Sequence, residues 1–198
     1  MPGPVILLDL GGVLVDLGDP AQAMRLDIDN ASFWKLWLSS PLVQSFETGH
    51  LDTPGFAAAF GAQLGIADPG EFAARLDRWQ LLMFAGAADY LREILRHQTV
   101  ALLSNTNELH WQQVLSQTDV FEDFAHLFLS FETGYAKPDA AAFLDVVEHF
   151  GCAPEAIAFF DDNANNITAA RAVGLRAEQV RGIRQLAEAV SGVIERGK

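Results

Sequence analysis

The chain has 198 residues, half of them apolar, which suits one domain of average size with a buried core and excludes a disordered or fibrous class. Twenty-six acidic residues against thirteen basic ones give a formal net charge of −13, which argues against nucleic acid and anionic membrane surfaces as partners because both would be repelled. A single cysteine, Cys152, excludes an internal disulfide and a cysteine-only metal cluster, and the start Met1-Pro2-Gly3-Pro4, with no positive segment and only a short apolar run behind it, predicts a cytoplasmic protein.

The first apolar run, Val5-Ile-Leu-Leu, ends on Asp9 and is followed at once by Gly11 and Gly12, so it predicts a strand with a carboxylate at its tip and a sharp turn beyond. From there to about Tyr90 the pattern is helical: Phe33 to Leu38, Thr53 to Leu64 and Pro69 to Phe84, interrupted by Gly, Pro and Asp, with no convincing strand. A helix up to His97 leads into a second strand, Thr99 to Ser104, then Asn105-Thr106-Asn107 and another helix. A third strand is predicted at His126 to Ser130, followed by Gly134-Tyr-Ala-Lys137-Pro138-Asp139, with Pro138 as the first residue of the next helix. Ile157-Ala-Phe-Phe-Asp161-Asp162 is a fourth strand, the helix from Asn163 closes at Gly174, and Leu175 to Val180 is a fifth; only weak helical signal follows.

Strand and helix in alternation from residue 91 onward predict an α/β fold, a doubly wound parallel sheet with helices on both faces. The helical stretch between the first two strands is too long for a crossover. It reads as an inserted helical domain over residues 18–88, with residues 1–17 and 89–198 forming the α/β core.

Ligands of such sheets bind beyond the carboxyl ends of the strands. Asp9, Ser104, Lys137, Asp161 and Asp162 all follow apolar strands, so the fold gathers them into one crevice. Carboxylates without matching arginines repel one another and call for a hard cation, Mg²⁺, with Asp9, Asp162 and Asp161 as candidate ligands. Ser104 and Asn105, read as opening a helix, offer side chains and N–H groups to phosphate oxygens. Lys137 adds a compact positive charge in a chain with only three lysines, Lys35, Lys137 and Lys198. The chemistry this collection suits is phosphoryl transfer.

The blocks LLDLGGVLVD, ALLSNTN, GYAKPD and AFFDDNANNITAARAVG resemble, in order and spacing, the four motifs of the haloacid dehalogenase superfamily, and the helical insertion resembles its cap domain. Within that superfamily the chain resembles bacterial sugar-phosphate phosphatases of the glucose-1-phosphate phosphatase type. The resemblance implies a Rossmann-like core and Mg²⁺-dependent hydrolysis of a small phosphorylated metabolite. It makes Asp9 the nucleophile that forms an aspartyl-phosphate. Ser104, Asn105 and Gly12 would bind the phosphoryl group, Lys137 would neutralise it, and Asp9, Asp162, Asp161 and the backbone carbonyl of Gly11 would hold the metal.

Two positions depart from the superfamily. The acid usually found two residues after the nucleophile is replaced by Gly11, which removes a group that contributes about 10² to 10⁴ in rate. The sugar-phosphate phosphatases that the chain resembles share the glycine, which implies that a cap residue, a water or the substrate itself substitutes; Glu47 and His50, in Phe46-Glu47-Thr48-Gly49-His50, are the cap candidates. Asn166 stands where many relatives have another acid. His97, His110, His126 and His149 lack ligand spacing and read as structural; Asp16 and Asn163 read as turn and cap residues, and Trp34, Trp37, Trp79 and Phe84 as cap core. Two other functions fit the same fold: binding of a phosphometabolite without turnover, and metal-free dehalogenation of a haloacid.

Overall fold

The computed structural model describes residues 3–196. Strand β1 (Val5–Leu8) is buried along its whole length, as expected of a parallel strand covered on both faces. It pairs in parallel with β4 (Val100–Ser104) on one side and β6 (Ile157–Asp161) on the other. Strands β5 (His126–Leu129) and β7 (Arg176–Gln179) complete a five-stranded sheet of order β5-β4-β1-β6-β7. The winding reverses at β1, and a crevice opens beyond the carboxyl ends of β4, β1 and β6.

Alternate residues of β1 face opposite layers. Val5 and Leu7 join Ala101, Leu103 and Phe159 against helices α9 (Ala140–Phe150) and α10 (Ala164–Ala172), through Phe143, Val146, Ile167 and Ala170. Ile6 and Leu8 join Leu102 and Phe160 against α6 (Ala87–Leu95), α7 (Glu108–Leu115) and α11 (Gly182–Arg196), through Leu91, Val114, Leu186 and Val190. Helix α11 is the weak helical signal of the sequence made regular over 15 residues. Leu186, Ala189, Val190 and Val193 are buried at helical spacing, and that stripe supplies the stability that its charged face does not.

Between β1 and β4 the chain builds a helical layer of α1 (Pro20–Ala23), α2 (Asn30–Ser39), α3 (Pro41–Glu47), α4 (Thr53–Gln63) and α5 (Pro69–Leu76). Asp19, Asp29, Asp52 and Asp68 each accept a backbone N–H at the start of one of these helices, so part of the acidic excess is helix capping. Its core is aromatic: Trp37 meets the Phe33, Phe56, Phe60 and Trp79 rings at centroid distances of 5.5, 5.7, 5.7 and 5.0 Å. The helix predicted from Pro69 to Phe84 stops at Leu76. Leu82–Met83 is instead strand β3, paired antiparallel with β2 (Val15–Asp16), and this ribbon joins the two chain passages between helical layer and sheet. Two residues per strand are too few to register as a period in sequence.

Candidate active site

Asp9 follows β1 directly, its N–H donating to the Phe160 carbonyl at 2.9 Å. Gly12 turns the chain behind it at φ +70°, and a Cβ on Gly12 would overlap the Asp162 carboxylate. The glycine therefore makes room for Asp162. Its N–H donates to the Val15 carbonyl at 2.8 Å, so it is engaged in the turn rather than free for a phosphate. Gly11 lines the cavity beside Asp9, and a Cβ at position 11 would stand 3.2 Å from the Leu17 side chain.

Lys137 is the centre of the polar cluster. Its side chain is 1% exposed, and Nζ donates to Asp9 Oδ1 at 2.6 Å, to the Leu103 carbonyl at 2.7 Å and to Asp161 Oδ2 at 2.8 Å. All three ammonium protons are thus engaged. Asp161 is sealed from solvent and also accepts from the Asn163 N–H and the Asn166 amide. Carboxylate oxygens of Asp9, Asp161 and Asp162 all lie within 4.8 Å of one another.

The electrostatics follow from one lysine serving three carboxylates. Burial, together with the nearby Asp161 and Asp162 charges, pushes Asp9 up to about 7 against the pull of Lys137. Burial works to lower Lys137, but Asp161 and Asp9 outweigh it and hold the ammonium above the usual lysine value. Asp162 is also raised, by burial and then by Asp161.

Ser104 ends β4, buried at the cavity wall. The following helix begins only at Glu108, capped by Asn107, whose side chain accepts the His110 N–H. Ser104 and Asn105 therefore do not open a helix. The Asn105 amide is turned to the backbone of Lys137 and bonds both its N–H and its C=O. Helix α9 likewise starts after Asp139, so Lys137 lies in the loop before the cap and not beside a helix start.

The helical layer closes a cavity of about 150 Å³ over these groups, walled by Trp34, Trp37, Glu47, Trp79 and His110. The two cap candidates of the sequence separate here. Glu47 lines the cavity and accepts a bond from Trp37 Nε1 at 3.1 Å, and burial pushes its pKa up to about 7. His50 is exposed and bonded to Thr48. Trp37 and Trp79 serve both as core and as cavity wall. His110, read as structural, is part of that wall as well: burial pulls its pKa down to about 4 and its Nε2 has no partner among the described residues.

The sequence gives no functional signal for Ser130, which the structure places just after β5 at the start of a short helix, Ser130–Thr133. Its hydroxyl donates to the Glu47 carbonyl at 2.5 Å and accepts the Thr106 N–H at 2.9 Å, tying the helical layer to the loop after β4. Asp16 and Asn163 bond the nearby N–H groups of Gly18 and Asn165 and are turn and cap residues as read. No helix among the described residues is long and apolar enough to cross a membrane.

The family model for haloacid dehalogenase-like hydrolases matches residues 4–174. Among solved structures, the chain is similar to a HAD family enzyme from Bacteroides thetaiotaomicron in complex with magnesium and inorganic phosphate, at 25% identity and a TM-score of 0.74 over 90% of this chain and 94% of that one. It is also similar to the L-2-haloacid dehalogenase from Xanthobacter autotrophicus, at 21% identity and a TM-score of 0.68 over 97% of this chain and 84% of that one. A curated relative, the drimenol cyclase drtB of Aspergillus calidoustus, is 27% identical over 177 residues, which are 87% of this chain; the chain spans 33% of that protein's length. This chain belongs to the haloacid dehalogenase-like hydrolase family.

Proposed function

We propose that the chain is a Mg²⁺-dependent phosphatase that hydrolyses a small phosphate monoester, a sugar phosphate in the first instance, through an aspartyl-phosphate on Asp9. The observation that carries the reading is the buried Lys137 ammonium bonded to Asp9 and Asp161 with Asp162 alongside: three carboxylates gathered round a sealed cation in a crevice at the strand ends. A site with that balance suits a bound divalent metal and an arriving phosphate better than a haloacid carboxylate, which would enter among three acidic groups with no metal to offset them. The magnesium and phosphate bound by the Bacteroides relative favour the same reading.

The donor set fits a hard cation, since Asp9, Asp162 and the Gly11 carbonyl offer only oxygens. Bound there, Mg²⁺ would neutralise charge on the transferring phosphoryl group. Asp161 has its oxygens engaged by Lys137, Asn166 and the Asn163 N–H, and its part is to hold the lysine and the loop in place. Lys137 orients the Asp9 carboxylate and offsets the repulsion between it and the phosphate. Ser104 binds a phosphoryl oxygen from the β4 side. Asn105 positions Lys137, and Gly12 leaves Asp162 its place. The helical layer excludes bulk water from the reacting groups.

Phosphate release from a panel of sugar and aryl phosphates, with and without chelator, tests the reading. Activity lost to chelator, restored by Mg²⁺ and abolished in a folded Asp9→Asn variant is expected. Full activity in Asp9→Asn overturns the nucleophile, and chelator-resistant release of halide from a haloacid moves the chain to dehalogenation.

A further inference from the structure

We infer that Glu47, contributed by the cap, is the general acid and base of the reaction and replaces the acid absent at Gly11; the inference rests on the phosphatase reading. Three independent pieces of geometry bring it to the reacting groups.

The cap is seated on the core at this segment. Ser130 Oγ donates to the Glu47 carbonyl at 2.5 Å while accepting the Thr106 N–H, two residues beyond Ser104. Two residues on, Gly49 takes φ +73°, and a Cβ there would run into the Phe131 main-chain carbonyl. Core groups thus meet the cap backbone at Glu47 itself and again at Gly49, which holds the segment carrying the Glu47 side chain against the crevice.

That side chain lines the same cavity as Asp9, Ser104 and Lys137. Trp37 Nε1 donates to Oε1 at 3.1 Å. A proton carried by the carboxyl group therefore sits on Oε2, which has no hydrogen-bond partner among the described residues and is not sealed in the core. The indole fixes the carboxyl group and leaves its proton-bearing oxygen for the substrate. Removal from water raises the group to about 7, so that it carries a proton in a useful fraction of molecules near neutrality.

The other ionisable groups at the site are less suited to the task, Asp162 being committed to the metal in the phosphatase reading. Asp161 and Lys137 are engaged with each other, position 11 has no side chain, and His50 faces solvent. His110 Nδ1 accepts from the Asn107 amide, so Nε2, unpartnered among the described residues, carries the single proton of a ring that burial holds neutral, and a neutral imidazole does not give that proton up.

The two steps balance as follows. Asp9 attacks phosphorus, the ester P–O bond breaks, and Glu47 gives its proton to the departing oxygen, so the alcohol leaves neutral. Glu47, now a carboxylate, takes a proton from water as that water attacks the aspartyl-phosphate. The bond between phosphorus and Asp9 breaks, inorganic phosphate forms, and both carboxyl groups return to their starting states.

The test uses the leaving group. An alkyl oxygen needs a proton to depart, whereas 4-nitrophenolate does not. In rapid-mixing experiments, Glu47→Gln, which keeps the size of the side chain and an acceptor for Trp37, should slow first-turnover cleavage of an alkyl phosphate by about 10² to 10⁴ and that of 4-nitrophenyl phosphate by less than about tenfold. Nitrophenol should appear as a burst equal to the enzyme present, followed by slow turnover, because the aspartyl-phosphate then lacks its base. His50→Ala should leave both esters unchanged, and Glu47→Asp should recover part of the alkyl rate. With an active wild type, equal losses on both esters, or none on either, would overturn the role of Glu47 alone. A wild type that releases phosphate from no ester would overturn the phosphatase reading, and this inference with it.

Discussion

The side-chain amide of Asn105 pairs with both polar groups of the Lys137 backbone, accepting its N–H at 2.8 Å and donating to its carbonyl at 2.7 Å. The lysine reaches Asp9 and Asp161 from a loop, and this two-bond clasp substitutes for regular secondary structure in placing it. Asn105→Ala removes both bonds. Turnover of the best phosphate ester is expected to fall by about 10- to 100-fold, as is usual for a residue that orients a site group from behind. Asn105→Asp, which keeps the acceptor for the N–H, should lie between variant and wild type. Equal effects on kcat from both variants would show that the clasp does not position the lysine.

Gly49 predicts how far cap closure limits the rate. Gly49→Ala forces a side chain into a left-handed backbone position at a cost of about 1–2 kcal/mol, and the new methyl group meets the Phe131 carbonyl. The cap would be lifted from the core. KM is expected to rise and kcat to fall, together by about 5- to 30-fold in kcat/KM. Limited proteolysis of the cap should quicken while the unfolding midpoint of the core stays near the wild-type value.

His110 makes the fold sensitive to acid. Its pKa is depressed from 6.5 to about 4 by burial, so below pH 6.5 the unfolded chain binds a proton that the folded chain refuses. The neutral imidazole's contribution is complete above pH 6.5 and is lost as the pH falls toward 4. Relative to His110→Asn, wild-type stability should decline by on the order of 3 kcal/mol across that window. Urea unfolding of both proteins at pH 7, 5.5 and 4 measures it; parallel pH dependence in the two would rule out the neutral buried imidazole.

Much of the fold is legible along the chain because parallel strands are covered on both faces and must be apolar throughout. Val5–Leu8, Val100–Leu103 and Ile157–Phe160 are such runs, and each is followed by the polar residue that it delivers to the crevice. Helix α11 was underestimated because its buried positions alternate with Arg184, Gln185 and Glu188, and its stability comes from contact with the sheet layer. The ribbon of β2 and β3 has no local signal at all; it exists because residues 15 and 83 meet in space.

The segment Phe46-Glu47-Thr48-Gly49-His50 divides the two kinds of information most sharply. By itself the sequence determined that the usual acid is missing at Gly11 and offered two ionisable groups of this segment, Glu47 and His50, as cap candidates to replace it. Only the tertiary structure separates the two, setting Glu47 on the cavity wall and His50 outside it. Ser130 and the close approach at Phe131 hold the segment in one orientation, Trp37 reaches across from α2 to the Glu47 carboxyl group, and His50 is left outside with Thr48. Glutamate and histidine three positions apart have comparable chemistry as free residues. Loss of water around the one that faces the cavity, a property of the packed chain alone, makes them different.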